Sequence, residues 1–127
     1  MRIWYRLKDS LEDVYYGIKN VIRWAPVIWR DADFDWEYLA HVMEYKLRRM
    51  SKNFGANQRH TDWNRQERQT LICAELLHRL RKDEYFRNAE KRYENIGLQV
   101  KAAQAQQKYD QEYLGKILGK YLNHWWD

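Results

Sequence analysis

The chain has 127 residues and a formal net charge of +5 at pH 7, and 45% of its residues are hydrophobic, 32% charged and 16% aromatic. That length favours one domain with a real core, and that balance excludes an intrinsically disordered chain. Five glycines and one proline are too few to punctuate many short strands. The composition therefore predicts an all-α fold, a compact bundle of four or five helices with a long C-terminal helix. We expect a single helical domain, with a core bundle over 1–95 and the C-terminal helix over 96–127.

The cysteine content and the lack of long apolar runs bear on location. Cys73 is the only cysteine, so the chain cannot form an internal disulfide. It lies in an apolar helical run, where a buried and unreactive thiol is expected. No run has the length of a signal-peptide core or a membrane span. We therefore expect a cytoplasmic protein with no membrane partner and no cofactor.

The first predicted helix begins near Ser10, a residue suited to the N-cap, with Asp13 completing an approximate capping box. Residues 2–9 are either a lead-in turn or a first helical turn. Helical spacing continues through Leu11, Val14, Ile18, Val21 and Ile22. Pro26 predicts that the helix ends near Ala25, because proline lacks a backbone donor and disfavours helical geometry in the residue before it.

The connection to the second helix contains an apolar triplet and an acidic alternation. Residues 27–29 are expected to fold inward as a plug. Asp33 or Asp35 is the expected N-cap of the second helix, with Glu37 in its first turn. Gly55 is expected to stop this helix. The predicted buried stripe consists of Trp36, Leu39, Val42, Met43, Leu47 and Met50.

The third predicted helix follows a loop over 55–61 and is capped by Thr61 or Asp62. Its apolar face is expected to contain Trp63, Thr70, Leu71, Ala74, Leu77 and Leu80. The pattern resets near Asp83, which predicts a break or kink there. A single continuous helix through this point is the alternative.

The C-terminal segment carries a heptad-like series, which predicts a homo-oligomer formed through this helix. The series is Ile96, Val100, Ala103, Gln107, Asp110, Leu114, Leu118, Tyr121 and Trp125. Gly115 and Gly119 are four residues apart, and we expect close approach of another helix to explain them. Trp125 and Trp126 are expected to pack on the body of the protein or on another subunit.

Two patterns resemble metal sites and fail on closer reading. The Asp31-x-Asp33-x-Asp35 spacing suits a calcium loop, but the required glycine and glutamate positions hold Trp36 and Val42. Helix capping explains these acids better.

Di-iron helix bundles need two Glu-x-x-His pairs and two further glutamates. Here only Glu75-x-x-His78 has the correct order, because the second candidate reads His41-x-x-Glu44. We predict no metal. The sequence also shows no nucleophile elbow, phosphate loop or dinucleotide fingerprint, so we predict no enzymatic activity.

Basic residues interleaved with aromatic residues form the candidate ligand site. The predicted ligand-binding residues are Arg48, Arg49, Lys52, Arg65, Arg68, Trp36 and Trp63. Arginine binds phosphate bidentately and flat rings stack on bases, so this set suits a nucleotide-like anion. A second basic set consists of Arg79, Arg81, Lys82 and Arg87. The alternative for both sets is a solvated helix surface.

One distinctive string runs Ile22-Arg23-Trp24-x-Pro26-x-Ile28-Trp29-x-Asp31-x-Asp33-x-Asp35 and is followed by Tyr38-Leu39 and Lys46-Leu47-x-Arg49-Met50. With this string, roughly residues 18–54 resemble a family of small uncharacterised proteins of tailed bacteriophages. Phe34 stands where the family commonly has tryptophan. The resemblance implies an accessory protein that acts in the cytoplasm of an infected bacterium, and it transfers no assigned activity.

Two functions follow as hypotheses. The first is a non-catalytic protein that binds a nucleotide-like anion and sequesters a bacterial cyclic nucleotide immune signal. Arg49, Arg65 and Arg68 would bind phosphate in that case. The alternative is a helical interaction module that inhibits or scaffolds a host or phage protein through the C-terminal helix.

Overall fold

A computed structural model describes residues 2–59 and 61–126, and the regular structure of these residues is entirely helical. The helices are α1 (Arg2–Trp29), α2 (Trp36–Asn57), α3 (Trp63–Lys82), α4 (Tyr85–Arg92) and α5 (Ile96–Tyr121), followed by a 3-10 turn, Leu122–His124. The predicted all-α fold with a long C-terminal helix is confirmed. Contacts between residues divide the chain into two units, Met1–Ala32 and Asp33–Asp127.

The first unit contains α1, which is longer than the sequence predicts at both ends. Ser10 lies inside the helix and does not cap it, because the apolar spacing extends back through Ile3 and Leu7. Pro26 lies in the last turn and does not end the helix near Ala25. A proline there removes only one backbone hydrogen bond, and the helix continues for three more residues. The predicted Ser10 cap and the predicted end near Ala25 are wrong, whereas residues 2–9 are helical, which was one of the two alternatives for them.

The apolar triplet 27–29 is the last turn of α1 and not a separate plug. Val27 is buried, but Ile28 and Trp29 are exposed. Two backbone hydrogen bonds between residues three apart follow. Arg30 N donates to the Val27 carbonyl at 3.3 Å, and Asp31 N donates to the Ile28 carbonyl at 3.0 Å. These bonds tighten the chain after the helix, so the triplet belongs to the helix end.

In the second unit, α2 begins as predicted but buries a different row of residues. The Asp35 carboxylate accepts a hydrogen bond from Glu37 N at 3.3 Å, which confirms Asp35 as the N-cap. The predicted stripe is wrong at Trp36 and Leu39, which are exposed; Leu39 is 63% exposed. The buried row is Ala40, Glu44, Leu47, Ser51 and Phe54. Because this row contains a glutamate and a serine, a search for apolar periodicity selects the neighbouring row.

α2 ends two residues after the predicted stop at Gly55. Gln58 adopts the left-handed conformation with φ 49° and donates its backbone N–H to the Phe54 carbonyl. Gly55 lies inside the helix, so a different contact must explain why a glycine occupies this position. A Cβ at this position would lie 2.9 Å from a carboxylate oxygen of Glu67 on α3. Gly55 therefore leaves room for the Glu67 side chain and does not end the helix.

α3 is the central helix, because it packs against both α2 and α5. Thr70, Ala74, Leu77 and Leu80 are buried as predicted, whereas Leu71 is exposed. Asp83 adopts the left-handed conformation with φ 50° and ends α3, so the predicted break is confirmed.

Cys73 is also buried as predicted. Burial raises the pKa of its thiol to about 11, because a thiolate is costly away from water. At neutral pH the side chain is therefore a protonated, packed thiol, as the sequence predicts.

α5 uses most of its heptad-like series within the chain. Ala103, Asp110 and Trp125 are buried, and Leu114, Leu118 and Tyr121 pack against the core. Gln66 donates to the carbonyls of His124 and Trp126 at 2.8 and 3.1 Å, and the Trp125 indole donates to Gln69 at 3.0 Å. This series therefore gives no support for an oligomer through α5.

The two glycines of α5 do not mark a close contact. A Cβ added at Gly115 or Gly119 would meet nothing within 4 Å. The expectation that another helix lies close to Gly115 and Gly119 is therefore wrong within a single chain.

Leu47, which belongs to both the predicted stripe and the observed buried row, and Leu39, which belongs only to the predicted stripe, test the burial pattern of α2 when each is replaced with alanine. Leu47→Ala should lower the free energy of unfolding by about 2–5 kcal/mol, because it removes buried methyl groups and leaves a cavity. Leu39→Ala is the matched control on the same helix and should change it by less than about 0.5 kcal/mol. Urea unfolding followed by circular dichroism measures both. Equal losses in the two variants would contradict the burial pattern of α2.

Candidate functional site: a basic cleft between α3, α4 and α5

A cleft of about 790 Å³ opens between the C-terminal half of α3, the short helix α4 and the middle of α5. Its size is in the range of small-molecule sites. Its polar and aromatic lining consists of His78, Arg79, Lys82, Glu84, Tyr85, Asn88, Lys91, Arg92, Tyr93, Gln106 and Tyr109. Four arginine and lysine side chains thus face one carboxylate, so the cleft has an electrostatic preference for anions.

A buried carboxylate anchors the base of this cleft. Asp110 on α5 is 0% exposed. It accepts hydrogen bonds from the Tyr85 hydroxyl at 2.6 Å and from the Gln106 amide at 3.2 Å, and it forms an ion pair with Arg79 Nε at 3.1 Å. One residue from each of the three helices therefore meets at this carboxylate: Arg79 from α3, Tyr85 from α4 and Asp110 itself from α5.

The Asp110 network fixes the chemical state of Tyr85. Burial, followed by the hydrogen bond to Asp110, raises the pKa of the phenol well above its ordinary value of 10. Tyr85 is therefore a permanent hydrogen-bond donor at neutral pH and holds α4 against α5. The polar residue that interrupts the heptad-like series of α5 thus serves to position the cleft.

Arg79 links this anchor to solvent. Its Nε is engaged by Asp110, yet the side chain is 51% exposed and lines the cleft. An arginine in this position is held in one orientation while the rest of its guanidinium remains accessible.

The other cations of the cleft are at helix ends. Lys82 lies in the last turn of α3, and Lys91 and Arg92 lie in the last turn of α4. Positive charge stabilises a helix C-terminus, which gives these residues a structural role as well. Within residues 2–59 and 61–126 none of the three forms an ion pair, so their charge is available to a ligand.

The predicted cluster on α2 and α3 is arranged differently from the expectation. Arg48 is engaged in the helix interface, with its guanidinium 2.7 Å from Glu75 and 3.4 Å from Glu44. The hydrogen bond to Glu75 raises the pKa of Arg48 above its ordinary value. Arg48 is therefore a cross-helix tie, and its charge is already compensated.

None of the remaining members of the predicted cluster lines the cleft between α3, α4 and α5. Arg49 lies over the Tyr45 ring at 5.8 Å. Lys52 is exposed, as are Arg65 and Arg68. Trp63 is partly buried at the start of α3.

Trp36 lies at the opposite end of α2 from these cations. Trp36 and Arg49 are 13 positions apart in the sequence (49 − 36), which corresponds to about 20 Å along the helix axis. A single small ligand therefore cannot stack on Trp36 while it contacts Arg65 or Arg68.

Glu44 and His78, from the two motifs considered for metal, form a cross-helix contact instead. Glu44 lies 3.0 Å from His78 Nδ1 and 3.3 Å from Arg81. Burial alone would raise the pKa of Glu44, but Arg81 and His78 outweigh it, so the pKa is lowered from 4.5. In the part of the chain that the structure describes, no group of three or more His, Cys, Asp or Glu side chains could hold a metal ion.

The basic sets predicted from the sequence contain only part of the lining of this cleft. Arg79 and Lys82 belong to the second basic set, but Tyr93, Tyr109 and Arg92 were missed. The signal that could have found them is Asp110, because a charged residue at an apolar position of a helical series requires buried partners. The break at Asp83 is a second signal, because it allows α4 to pack against α5 separately from α3.

The lowered pKa of Glu44 gives a pH dependence with a definite sign. A carboxyl whose folded pKa is below its unfolded value contributes stability above that unfolded value, near 4.5. The contribution is lost as the pH falls through the folded pKa. Glu44→Gln should therefore lower the free energy of unfolding at pH 7, by about 1–3 kcal/mol, and the difference from the native chain should shrink in acid.

Denaturant unfolding at several pH values between about 3 and 7 measures this difference. Glu75→Gln is the control, because Glu75 pairs with Arg48 at an exposed position where ion pairs contribute little. If the difference in unfolding free energy between Glu44→Gln and the native chain grows as the pH falls, the assigned direction of the Glu44 pKa shift is wrong.

Tyr85→Phe tests the anchor of the cleft. Removing the hydroxyl deprives the buried Asp110 carboxylate of its 2.6 Å donor, so we expect a loss of about 1–3 kcal/mol in the free energy of unfolding. Tyr93→Phe, an exposed tyrosine beside the same helix, should cost less than about 0.5 kcal/mol. Thermal unfolding of the two variants makes the comparison, and a similar effect in both would show that the Tyr85–Asp110 bond contributes nothing particular.

Comparison with known proteins gives this chain no family. No protein-family model, curated protein or solved structure matches it. The bacteriophage resemblance of residues 18–54 therefore stays a prediction. Among the described residues, no helix has both the length and the apolar content needed to cross a bilayer.

Proposed function

We propose that this chain is a non-catalytic protein that binds a nucleotide-like anion, and that the ligand occupies the cleft between α3, α4 and α5. The observation that carries the proposal is the lining of this cleft, where four cations and three tyrosines surround a fixed hydrogen-bond network. This location replaces the α2–α3 cluster as the preferred ligand site.

The cations are suited to phosphate. Arg79 and Arg92 carry guanidinium groups that can donate two parallel hydrogen bonds to phosphate oxygens. Lys82 and Lys91 add point charges on either side. Because Arg79 is already oriented by Asp110 at 3.1 Å, little side-chain entropy is lost when a ligand binds to it.

The aromatic and amide groups are suited to a base. Tyr93 and Tyr109 are exposed at the lining, and flat rings of this kind stack on any nucleobase. Tyr109 is supported from one side by Tyr113, with ring centroids 6.0 Å apart. Asn88 and Gln106 place amide groups at the same cleft, where they can read the edge of a base.

The lining favours binding over chemistry. Besides cations, amides and phenols it contains Glu84 and His78, whose Nδ1 is engaged by Glu44 at 3.0 Å, but no serine, threonine or cysteine among the described lining residues. Tyr85 is held in its protonated form, so it is not a general base at neutral pH. The bacteriophage resemblance supplies a setting, in which a cyclic dinucleotide immune signal is the ligand to be sequestered.

Isothermal titration calorimetry against a panel of mononucleotides, linear dinucleotides and cyclic dinucleotides tests the proposal. We expect saturable heat for at least one of them, and none for inorganic phosphate at the same concentration, because the tyrosines contribute only when a base is present. No heat and no thermal shift across the panel would overturn the proposal.

Two arginines of α4 provide a matched pair for locating the ligand. Arg92 lines the cleft and Arg87 does not, although both are exposed on the same helix. Arg92→Ala should weaken binding about 10- to 100-fold, the loss of one charge-assisted contact of about 1.5–3 kcal/mol. Arg87→Ala should leave the affinity within about twofold. If Arg65→Ala weakens binding and Arg92→Ala does not, the ligand occupies the α2–α3 cluster instead.

A further inference from the structure

α1 carries a complete heptad series on a face that the chain leaves exposed. The residues at the core a and d positions alternate with spacings of three and four over three and a half heptads: Trp4, Leu7, Leu11, Val14, Ile18, Val21, Ala25 and Ile28. The seven larger ones are between 54% and 79% exposed. Sustained spacing of this kind is the pattern of a coiled-coil seam.

The charges of α1 avoid this seam. Of its eight charged residues, seven lie at the outer b, c and f positions of the heptad, and only Lys8 lies at a flanking position. The outer residues are Arg2, Arg6, Asp9, Glu12, Asp13, Lys19 and Arg23. The seam is thus bordered almost entirely by uncharged side chains, so a second apolar helix can approach without desolvating charge.

α1 is a poor helix on its own. Its middle contains four β-branched residues, Val14, Ile18, Val21 and Ile22, together with Gly17, and its last turn contains Pro26. Each of these residue types lowers helix propensity. In water, isolated helices are marginal even with good sequences, and packing of the apolar face supplies most of their stability. A helix of 28 residues with this composition therefore requires a partner for its seam.

We propose that α1 binds the α1 helix of a second copy of this chain through the Trp4–Ile28 seam. An identical helix supplies the complementary knobs and holes, because the 3-4 spacing is by nature the geometry of one helix packed along another. The 25 residues from Trp4 to Ile28 (28 − 4 + 1) give a seam of about 37 Å at 1.5 Å per residue. The residues of the seam are not among those that line the cleft, so this inference does not depend on the proposed ligand.

A membrane surface is the competing occupant and fits the charges less well. Interfacial helices that bind anionic lipid carry mainly lysine and arginine on the polar face. α1 instead carries charges of both signs outside its seam, five lysines and arginines together with the acids Asp9, Glu12 and Asp13. These acids would be repelled by an anionic bilayer, whereas the outer face of a coiled coil accepts either sign of charge.

Ile18 and Tyr16 provide a matched test. They are 56% and 60% exposed, and Ile18 lies in the seam whereas Tyr16 lies at an outer position. If α1 associates with itself, Ile18→Glu should weaken the association on the order of 100-fold, because two charges would be buried across the seam. Tyr16→Glu should change it less than about threefold. Sedimentation velocity of the full chain between about 1 and 100 µM measures the association.

A variant that strengthens the seam guards against simple misfolding. Val14 and Val21 lie at d positions, where leucine favours two-stranded coiled coils, so Val14→Leu with Val21→Leu should tighten the association about 10-fold. A damaged fold could not produce that gain. If the native chain stays monomeric at 100 µM, or if the leucine variant does not associate more tightly, the proposal is wrong.

Flotation with vesicles of phosphatidylcholine and phosphatidylglycerol separates the competing occupant. A self-associating chain should remain with the free protein at the bottom of the gradient. If the native chain is monomeric and floats with the vesicles, and Ile18→Glu abolishes the flotation, the seam binds a membrane surface and not a second copy.

Discussion

Asp110 is fully buried, and the fold must supply donors to keep its charge there. An isolated carboxylate in this position would cost several kcal/mol. The donors come from Tyr85 and Gln106, with Arg79 as the counter-charge. Because Arg79 is on α3 and Tyr85 on α4, satisfying one carboxylate fixes how three helices meet. The cleft is a consequence of that arrangement.

The carboxylate of Glu44 is also buried and is also held by side chains of α3, on the other side of that helix. It is buried on α2 and is held by His78 and Arg81, whereas Arg79, between them in sequence, reaches Asp110 on α5. Successive residues on one helix turn point in different directions, so one turn of α3 can serve both neighbours. The register of α2 and of α5 against α3 is thus set by cations from a single turn.

The parts of the fold that follow from local rules could be predicted from the sequence. The Asp35 cap, the break at Asp83 and the buried Cys73 each depend on a few neighbouring residues. The buried row of α2 could not be predicted, because Glu44 and Ser51 are buried only through partners on α3. The end of α1 was missed because the helix continues from Pro26 to Trp29 although the proline cannot donate a backbone hydrogen bond. The cleft was missed because its lining forms only when three successive helices pack together and bring residues 78–93 against residues 102–109.

The proposed ligand binding depends on ligand concentration, whereas the proposed self-association of α1 depends on protein concentration. A ligand that binds the folded state raises its stability with the logarithm of ligand concentration, whatever the protein concentration. Self-association of α1 instead makes stability depend on protein concentration and requires no ligand. The cleft lies within Asp33–Asp127 and the seam within Met1–Ala32, so substitutions at one site leave the residues of the other unchanged. A protein with both features would carry two ligand sites per pair of chains, joined through helices that contribute nothing to the lining of either cleft.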